Sequence, residues 1–313
     1  MKLILDLDTG IDDAMALAYA IGHPDAEVLG VTSVFGNTET KQTTINASAI
    51  LKLLGREDIP VYEGALGPID SDEPYVQEAA SATFHGKNGI ADVELPTGNN
   101  IQDESAVDFI IECAEKYGKD LKIVTTGPLT NLAEVYQKDP EVLWKVNQIV
   151  SMGGTLTVPG NVSAYAEANF NKDPRANNIM FSSGLPMTMV GLDVTLRTLL
   201  TENDIAPWKD GSEAAQKFFD IVTFYFQAYD SSYDELAGCA LHDPLAVSVA
   251  LNPDIVSGVH FNLKSLEDEE QYGRIVQDQA AANAGKEKNV RVALFVDGES
   301  YSQHFVETIN KAF

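Results

Sequence analysis

Within the first thirteen residues of this chain, four aspartates, Asp6, Asp8, Asp12 and Asp13, surround a single glycine, Gly10. Carboxylates held so close repel one another unless they share a hard cation that accepts several oxygen ligands. A divalent-metal site is the first chemistry that these residues suggest. Each aspartate also has a plainer use. Asp12 could be an ordinary acid in the first turn of a helix, where the dipole favours it, and Asp6 could bond neighbouring backbone. Asp8, Asp12 and Asp13 together exceed what capping needs.

The elements around these residues say how they would be held. The apolar run before Asp8 reads as a buried parallel strand, and the alanine-rich run 14–20 as a helix. Gly10 permits a tight turn between them. In open α/β sheets, ligands bind at the carboxyl ends of strands, where the aspartates would gather. Further strands are predicted at 28–34, 60–63, 121–125, 146–152 and 187–190. Helices are predicted through residue 54 and at 106–117, 173–182, 212–229, 242–251 and 300–312. This alternation predicts one α/β domain over residues 1–313, with a mainly parallel central sheet flanked by helices. Strands at 256–261, 274–277 and 290–296 read as a small antiparallel addition. Residues 65–104 show weak periodicity and read as a long loop, of the kind that is usually functional or disordered.

Polar residues recur at the ends of the predicted strands. Asn37 follows 28–34, Thr126 follows 121–125, and the segment 160–169 lies beyond 146–152. His242-Asp243-Pro244 opens a helix. One pocket could collect all of them. Singly, each has a plainer explanation: Asn37 as a turn residue, Asp243 as a cap, His242 as a core histidine, His85 as a loop residue. The aromatics Phe218, Phe219, Phe224, Tyr225, Phe226 and Tyr229 read as core.

Composition excludes some partners. A net charge of −26 opposes a nucleic-acid-binding surface and an anionic membrane, both of which want Lys and Arg. It does not oppose a small neutral substrate. Cys113 and Cys239 are the only cysteines. They read as free thiols of a reducing cytosol, although a disulfide is possible. The sequence has no leader-like succession and no apolar run long enough to span a bilayer, so a cytoplasmic location is expected.

In order and combination, these motifs resemble a known family. Asp6-Leu7-Asp8-Thr9-Gly10-Ile11-Asp12-Asp13-Ala14 is similar to the N-terminal DxDxGxDDxxA signature of the nucleoside hydrolases, the inosine–uridine-preferring family. Gly36-Asn37, His85-Gly86, Thr125-Thr126-Gly127-Pro128, Met152-Gly153-Gly154, Glu167-Ala168-Asn169 and His242-Asp243-Pro244 agree in order. The resemblance spans nearly the whole chain. It implies a Rossmann-like domain with calcium at the active site, which hydrolyses the N-glycosidic bond of ribonucleosides to free base and ribose. It also suggests a homotetramer or homodimer.

Carried onto this sequence, the resemblance implies that Asp8, Asp13, Asp243 and the backbone carbonyl of Thr126 ligate calcium. Asp12 would bond a ribose hydroxyl, Asn169 would hold the 3′-hydroxyl, and Asn161 and Glu167 would grip the 5′ end. Asn37 would orient the carboxylates and the ribose, Met152 would line the substrate site, and His85 and His242 would sit around the base. Ala168 departs from relatives that carry an aromatic there. Asp8 would act as general base toward water, and His242, with an ordinary pKa of ~6.5, as acid for the leaving base. Segments 74–92 and 222–241 are expected to be the mobile loops over the base. Two other readings stand beside this one: a phosphatase of the haloacid-dehalogenase type, and a non-catalytic calcium-dependent riboside-binding protein. The first fits poorly, because Gly10 stands where that pattern wants threonine.

Overall fold

The computed structural model describes residues 1–233 and 236–313. Its centre is a nine-stranded sheet. Seven of the strands are β1 (Lys2–Leu7), β2 (Glu27–Ser33), β3 (Val61–Glu63), β4 (Ile101–Gln102), β5 (Leu121–Thr125), β6 (Gln148–Met152) and β7 (Met187–Val190). They are parallel throughout and run across the sheet in the order β4-β3-β2-β1-β5-β6-β7. The chain builds outward from β1 to β4 and then returns to lay β5 against the other side of β1. The strand order therefore reverses between β1 and β5, and a crevice opens beyond their carboxyl ends.

Alternation along β1 divides the core. Leu3, Leu5 and Leu7 join an apolar cluster with helices Ile11–Gly22, Glu213–Ser232, His242–Leu251 and Gly298–Ile309. Ile4 faces the opposite cluster, built on helices Ala106–Tyr117, Thr130–Lys138 and Pro174–Ser182. The sheet is thus covered on both faces, which explains why β1 and β5 read as nearly continuous apolar runs. The helix Ile11–Gly22 is buried along almost its whole length, so its alanines let it lie flat between the sheet and its neighbours.

The late antiparallel addition is present and continuous with the main sheet. Val256–Phe261 pairs antiparallel with Val290–Val296, which itself pairs parallel with β7. Leu263–Ser265 and Ile275–Gln277 form a separate antiparallel pair.

Two stretches differ from the sequence expectation. The long loop 65–104 contains a helix, Ala79–His85, and strand β4. The segment 222–241, expected to be a mobile loop, is helix over residues 222–232; most of these lie within the expected helix 212–229, which runs three residues further, to Ser232. Residues 234 and 235, within that segment, lie outside the described residues.

Candidate active site

The crevice beyond β1 and β5 holds the aspartates. Asp8 is 1% exposed, Asp12 7%, Asp13 0% and Asp243 2%, so all four carboxyls are shielded from water. One oxygen from each of Asp12, Asp13 and Asp243 lies within 4.8 Å of the others. Two ionised carboxylates at that spacing repel by roughly 3 kcal/mol at an effective dielectric of 20. Burial, and then the neighbouring carboxylates, hold the Asp8 and Asp243 carboxyls well above the usual range. The same causes push Asp12 up to about 8. Burial also raises Asp13, against its hydrogen bonds.

Asp13 is the fixed member of this group. Its Oδ2 accepts from the Gly10 amide at 2.8 Å and from Asn37 Nδ2 at 3.1 Å, and its Oδ1 accepts from the Thr126 hydroxyl at 2.6 Å. Asp8 is held on one side only, where its Oδ2 accepts from the Asn37 amide at 2.8 Å. Asp8 Oδ1 and Asp12 Oδ1 are buried with no hydrogen-bond partner among the described residues. Asn37 therefore bonds two of the aspartates. Gly36 lets Asn37 come so near: a Cβ on Gly36 would stand 2.1 Å from Asp8 Oδ2. Oxygen-only donors and mutual repulsion fit a hard divalent cation, and thiolate or imidazole ligands are missing from this group.

Asp6 stays apart from this group. Its Oδ1 accepts from the Thr32 hydroxyl at 2.6 Å and from Asn131 Nδ2 at 2.7 Å, and burial pushes its carboxyl up to about 6. Its partners are side chains of neighbouring elements, not local backbone.

A cavity of about 280 Å³ opens above the aspartates, walled by Asp12, Asn37, His85, Thr126, Met152, Asn161, Glu167, Asn169, His242 and Asp243 among others. Ten of the twelve residues expected at the site thus line one space, and Asp8 and Asp13 lie against them. Asn169 spans the floor, its Nδ2 donating to the Thr126 carbonyl at 2.6 Å and to that of Met152 at 3.3 Å. The carbonyl expected to face a metal already accepts this bond, and its second lone pair remains. Glu167 caps the helix Ala168–Lys172. Its oxygens accept from the amides of Asn169 at 2.8 Å, Phe170 at 3.1 Å and Gly154 at 2.7 Å, so much of its acceptor capacity serves the backbone. Asn161 Oδ1 likewise accepts from the Ala168 amide at 3.0 Å.

The histidines are buried and neutral. His85 Nδ1 accepts from the Ile11 amide at 3.2 Å, which places its proton on Nε2. Burial, then His242, pushes it down to about 3. His242 bonds through both nitrogens, Nε2 to the Tyr229 hydroxyl and Nδ1 to the Thr195 hydroxyl, each at 2.7 Å. Burial lowers it to about 4, so the ordinary imidazole value assumed from sequence does not hold.

Sequence reasoning placed the aromatics of helix Glu213–Ser232 in the core, and for Phe218 and Phe226 that holds. Tyr225, Tyr229 and Tyr233 instead also line the cavity, with Phe84 from the helix Ala79–His85 set edge-on to Tyr229. The signal was there: Tyr225 and Tyr229, at i and i+4, put two hydroxyls on one helical face, and Tyr233 follows where the helix ends. The tryptophans stay out of the site, Trp208 in the core and Trp144 on the surface.

Comparison with known proteins agrees with this geometry. Residues 3–303 match the family described as inosine-uridine preferring nucleoside hydrolase. Uridine nucleosidase 1 of Arabidopsis thaliana is 36% identical over 255 residues, covering 81% of this chain and 75% of its own. The pyrimidine-specific ribonucleoside hydrolase RihB of Escherichia coli is 33% identical over 299 residues, covering 95% of this chain and 93% of its own. A solved purine-preferring ribonucleoside hydrolase from Gardnerella vaginalis superposes with a TM-score of 0.96 at 43% identity, over 100% of this chain and 99% of that one.

Proposed function

The chain belongs to the inosine-uridine preferring nucleoside hydrolase family and is a hydrolase of N-glycosyl compounds; on that premise we propose that it cleaves ribonucleosides to free base and ribose by calcium-assisted attack of water. The observation that carries the residue assignment is the pair of partnerless buried oxygens, Asp8 Oδ1 and Asp12 Oδ1, beside the cluster of Asp12, Asp13 and Asp243.

Asp8, Asp13, Asp243 and the Thr126 carbonyl would hold the ion. When bound, it supplies a fixed positive charge that lowers the pKa of a nearby water and attracts the hydroxyls of a cis-diol. Asp8 acts as the general base. Its Oδ2 is tied to the Asn37 amide, and its Oδ1 is left to accept a proton. Asp12 Oδ1 receives a ribose hydroxyl. Asn169, pinned through its Nδ2, presents a fixed amide to the 3′ side. Asn161 and Glu167 shape the 5′ side chiefly by bracing the helix Ala168–Lys172. The buried carboxylates favour the positive charge that an oxocarbenium-like transition state develops.

The departing base needs a proton. With a pKa of about 4, His242 is protonated in only about one molecule in a thousand at neutral pH. Its hydrogen bond to Tyr229, which lines the cavity, lets the pair deliver a proton through the tyrosine hydroxyl. We read Tyr229 as the group nearer the base: its O–H protonates the departing base while the imidazolium form of His242, that small fraction, returns a proton to the Tyr229 oxygen and is left as neutral imidazole. His85 and Met152 complete the walls. The same reading takes residues 1–313 as one catalytic domain. It takes the protein as a cytoplasmic homotetramer or homodimer; Cys113 and Cys239 are buried free thiols, and no helix among the described residues is long and apolar enough to cross a membrane.

Release of reducing sugar from uridine, inosine, cytidine and adenosine, each beside its 2′-deoxy analogue, tests the assignment. Loss of the 2′-hydroxyl should slow hydrolysis at least about tenfold, the factor that 1.4 kcal/mol represents. Binding of ribosides without sugar release would support the binding-protein reading instead.

A further inference from the structure

Lys172 is the only Lys or Arg among the residues lining the cavity, in a chain with a large excess of acids. Its side chain is 7% exposed. Nζ lies 2.8 Å from Glu78 Oε2 and donates to the Tyr75 hydroxyl at 2.9 Å, with the centre of the Tyr75 ring 4.8 Å away. Lys172 ends the helix that carries Asn169, while Glu78 is the N-cap residue of the helix that carries His85. The contact therefore joins two walls of the cavity that are far apart in sequence.

The helix Ala79–His85 packs along Glu213–Ser232, and its entry is also held by the Gln77 amide, which donates to Glu39 Oε1 at 3.0 Å. His85 is its only buried residue, and His85 is anchored at the far end by the Ile11 amide. Gln77, just before it, bonds the carbonyls of Asn37 and Gly86 and ties the segment at its base. At the N-terminal end, the cross-cavity tie is Lys172. A lysine ammonium seldom gives up most of its hydration without strong partners. Here a carboxylate and a phenolic hydroxyl serve together.

We propose that Lys172 is a positioning residue that clasps the His85-bearing helix over the bound ribonucleoside through Glu78 and Tyr75. The inference rests on the nucleoside hydrolase reading only for what lies beneath the clasp. With the clasp made, Phe84 and His85 stand over the cavity; with it released, the first turn of the helix lifts and the mouth widens. Its loss should weaken substrate capture more than it slows the chemical step.

The test uses Lys172→Met, Glu78→Gln, the double variant and Lys172→Arg in the full-length protein. Glu78 is half-exposed, so its substitution spares the fold. Hydrogen exchange is read at the amides of Ala82, Gly86 and Ala91, which bond within this segment. Both single variants should exchange there at least tenfold faster, the double variant no faster than either, and Lys172→Arg close to the unchanged protein. Exchange in β5 should not move. KM for a ribonucleoside should rise at least fivefold, with kcat changed less than twofold. Unchanged exchange in both singles, multiplicative effects in the double, or an unchanged KM would overturn the clasp. Exchange is measured without substrate, so the two readings fail separately. No sugar release by the unchanged protein would sink the hydrolase reading alone, and normal release with unaltered exchange would sink the clasp alone.

Discussion

Stripping divalent ions from this protein should change how its stability depends on pH. Asp8, Asp12, Asp13 and Asp243 all have folded pKa values above their unfolded ones, chiefly through burial. In the ion-free protein, such a group contributes stability that is fully present below the unfolded value near 4. That contribution is lost as pH rises through the folded value, about 8 for Asp12. Between pH 5 and pH 8, one proton retained by the folded cluster but not by the unfolded chain removes roughly 4 kcal/mol, at 1.36 kcal/mol per pH unit. His85 and His242 act in the opposite sense. Their folded values, about 3 and about 4, lie below the unfolded one, so the stability they contribute is lost as pH falls below ~6.5. They do so whether or not the ion is bound, and they cancel when the two forms are compared. With the ion bound the carboxylates are ionised, and raising the pH costs nothing through them. The gap in Tm between calcium-loaded and EDTA-treated protein should widen from pH 5 to pH 8 by on the order of 10 °C, at a few degrees per kcal/mol. Scanning calorimetry at pH 5, 6.5 and 8 in both conditions measures it. Parallel curves would show that the aspartates do not share an ion.

Tyr229→Phe removes the hydroxyl that bonds His242 Nε2. It should cost about 1–3 kcal/mol of stability and slow uridine hydrolysis by roughly a hundredfold, while p-nitrophenyl riboside, whose leaving group needs little protonation, stays within about threefold in the same assay. Equal losses on both substrates would make the Tyr229–His242 pair a positioning device. Gly36→Ala puts a methyl 2.1 Å from Asp8 Oδ2. Thermal melting should show a loss of about 1–3 kcal/mol from overpacking, and sugar release should fall more than tenfold because Asp8 and Asn37 move apart; full turnover would mean that Asp8 tolerates displacement.

How much of this was legible in the sequence depends on range. β1, β5 and the helix Ala106–Tyr117 were readable because their apolar periods are set by which faces are buried. That Asn37 and Thr126 would line the crevice was readable because each follows a parallel strand, at whose carboxyl end the cavity opens. The helix Ala79–His85 was not readable. It is short and has no apolar stripe, and its supports, the Ile11 amide and Lys172, are tertiary. Tyr225 and Tyr229 were read as core because helical spacing shows which residues face inward, not whether a cavity awaits them there. His242 was recognised by its motif, but its lowered pKa comes from burial, which no local pattern reports.

The reversal of strand order between β1 and β5 also bears on when this site comes into being. Asp8 and Asp13 are synthesised first, yet Thr126 meets them only after four more strands, β2 to β5, have been laid down. Asp243 joins from a helix that docks against Ile11–Gly22 much later in the chain. A nascent chain that has reached β5 already holds most of the parallel core, but only part of the charge that opposes its closure. Contacts of such long sequence separation form slowly, after local structure. The mutually repelling carboxylates are thus brought together only once apolar packing is sufficient to bear them, and a cation present during refolding should speed the last phase of acquiring the native state, not the first.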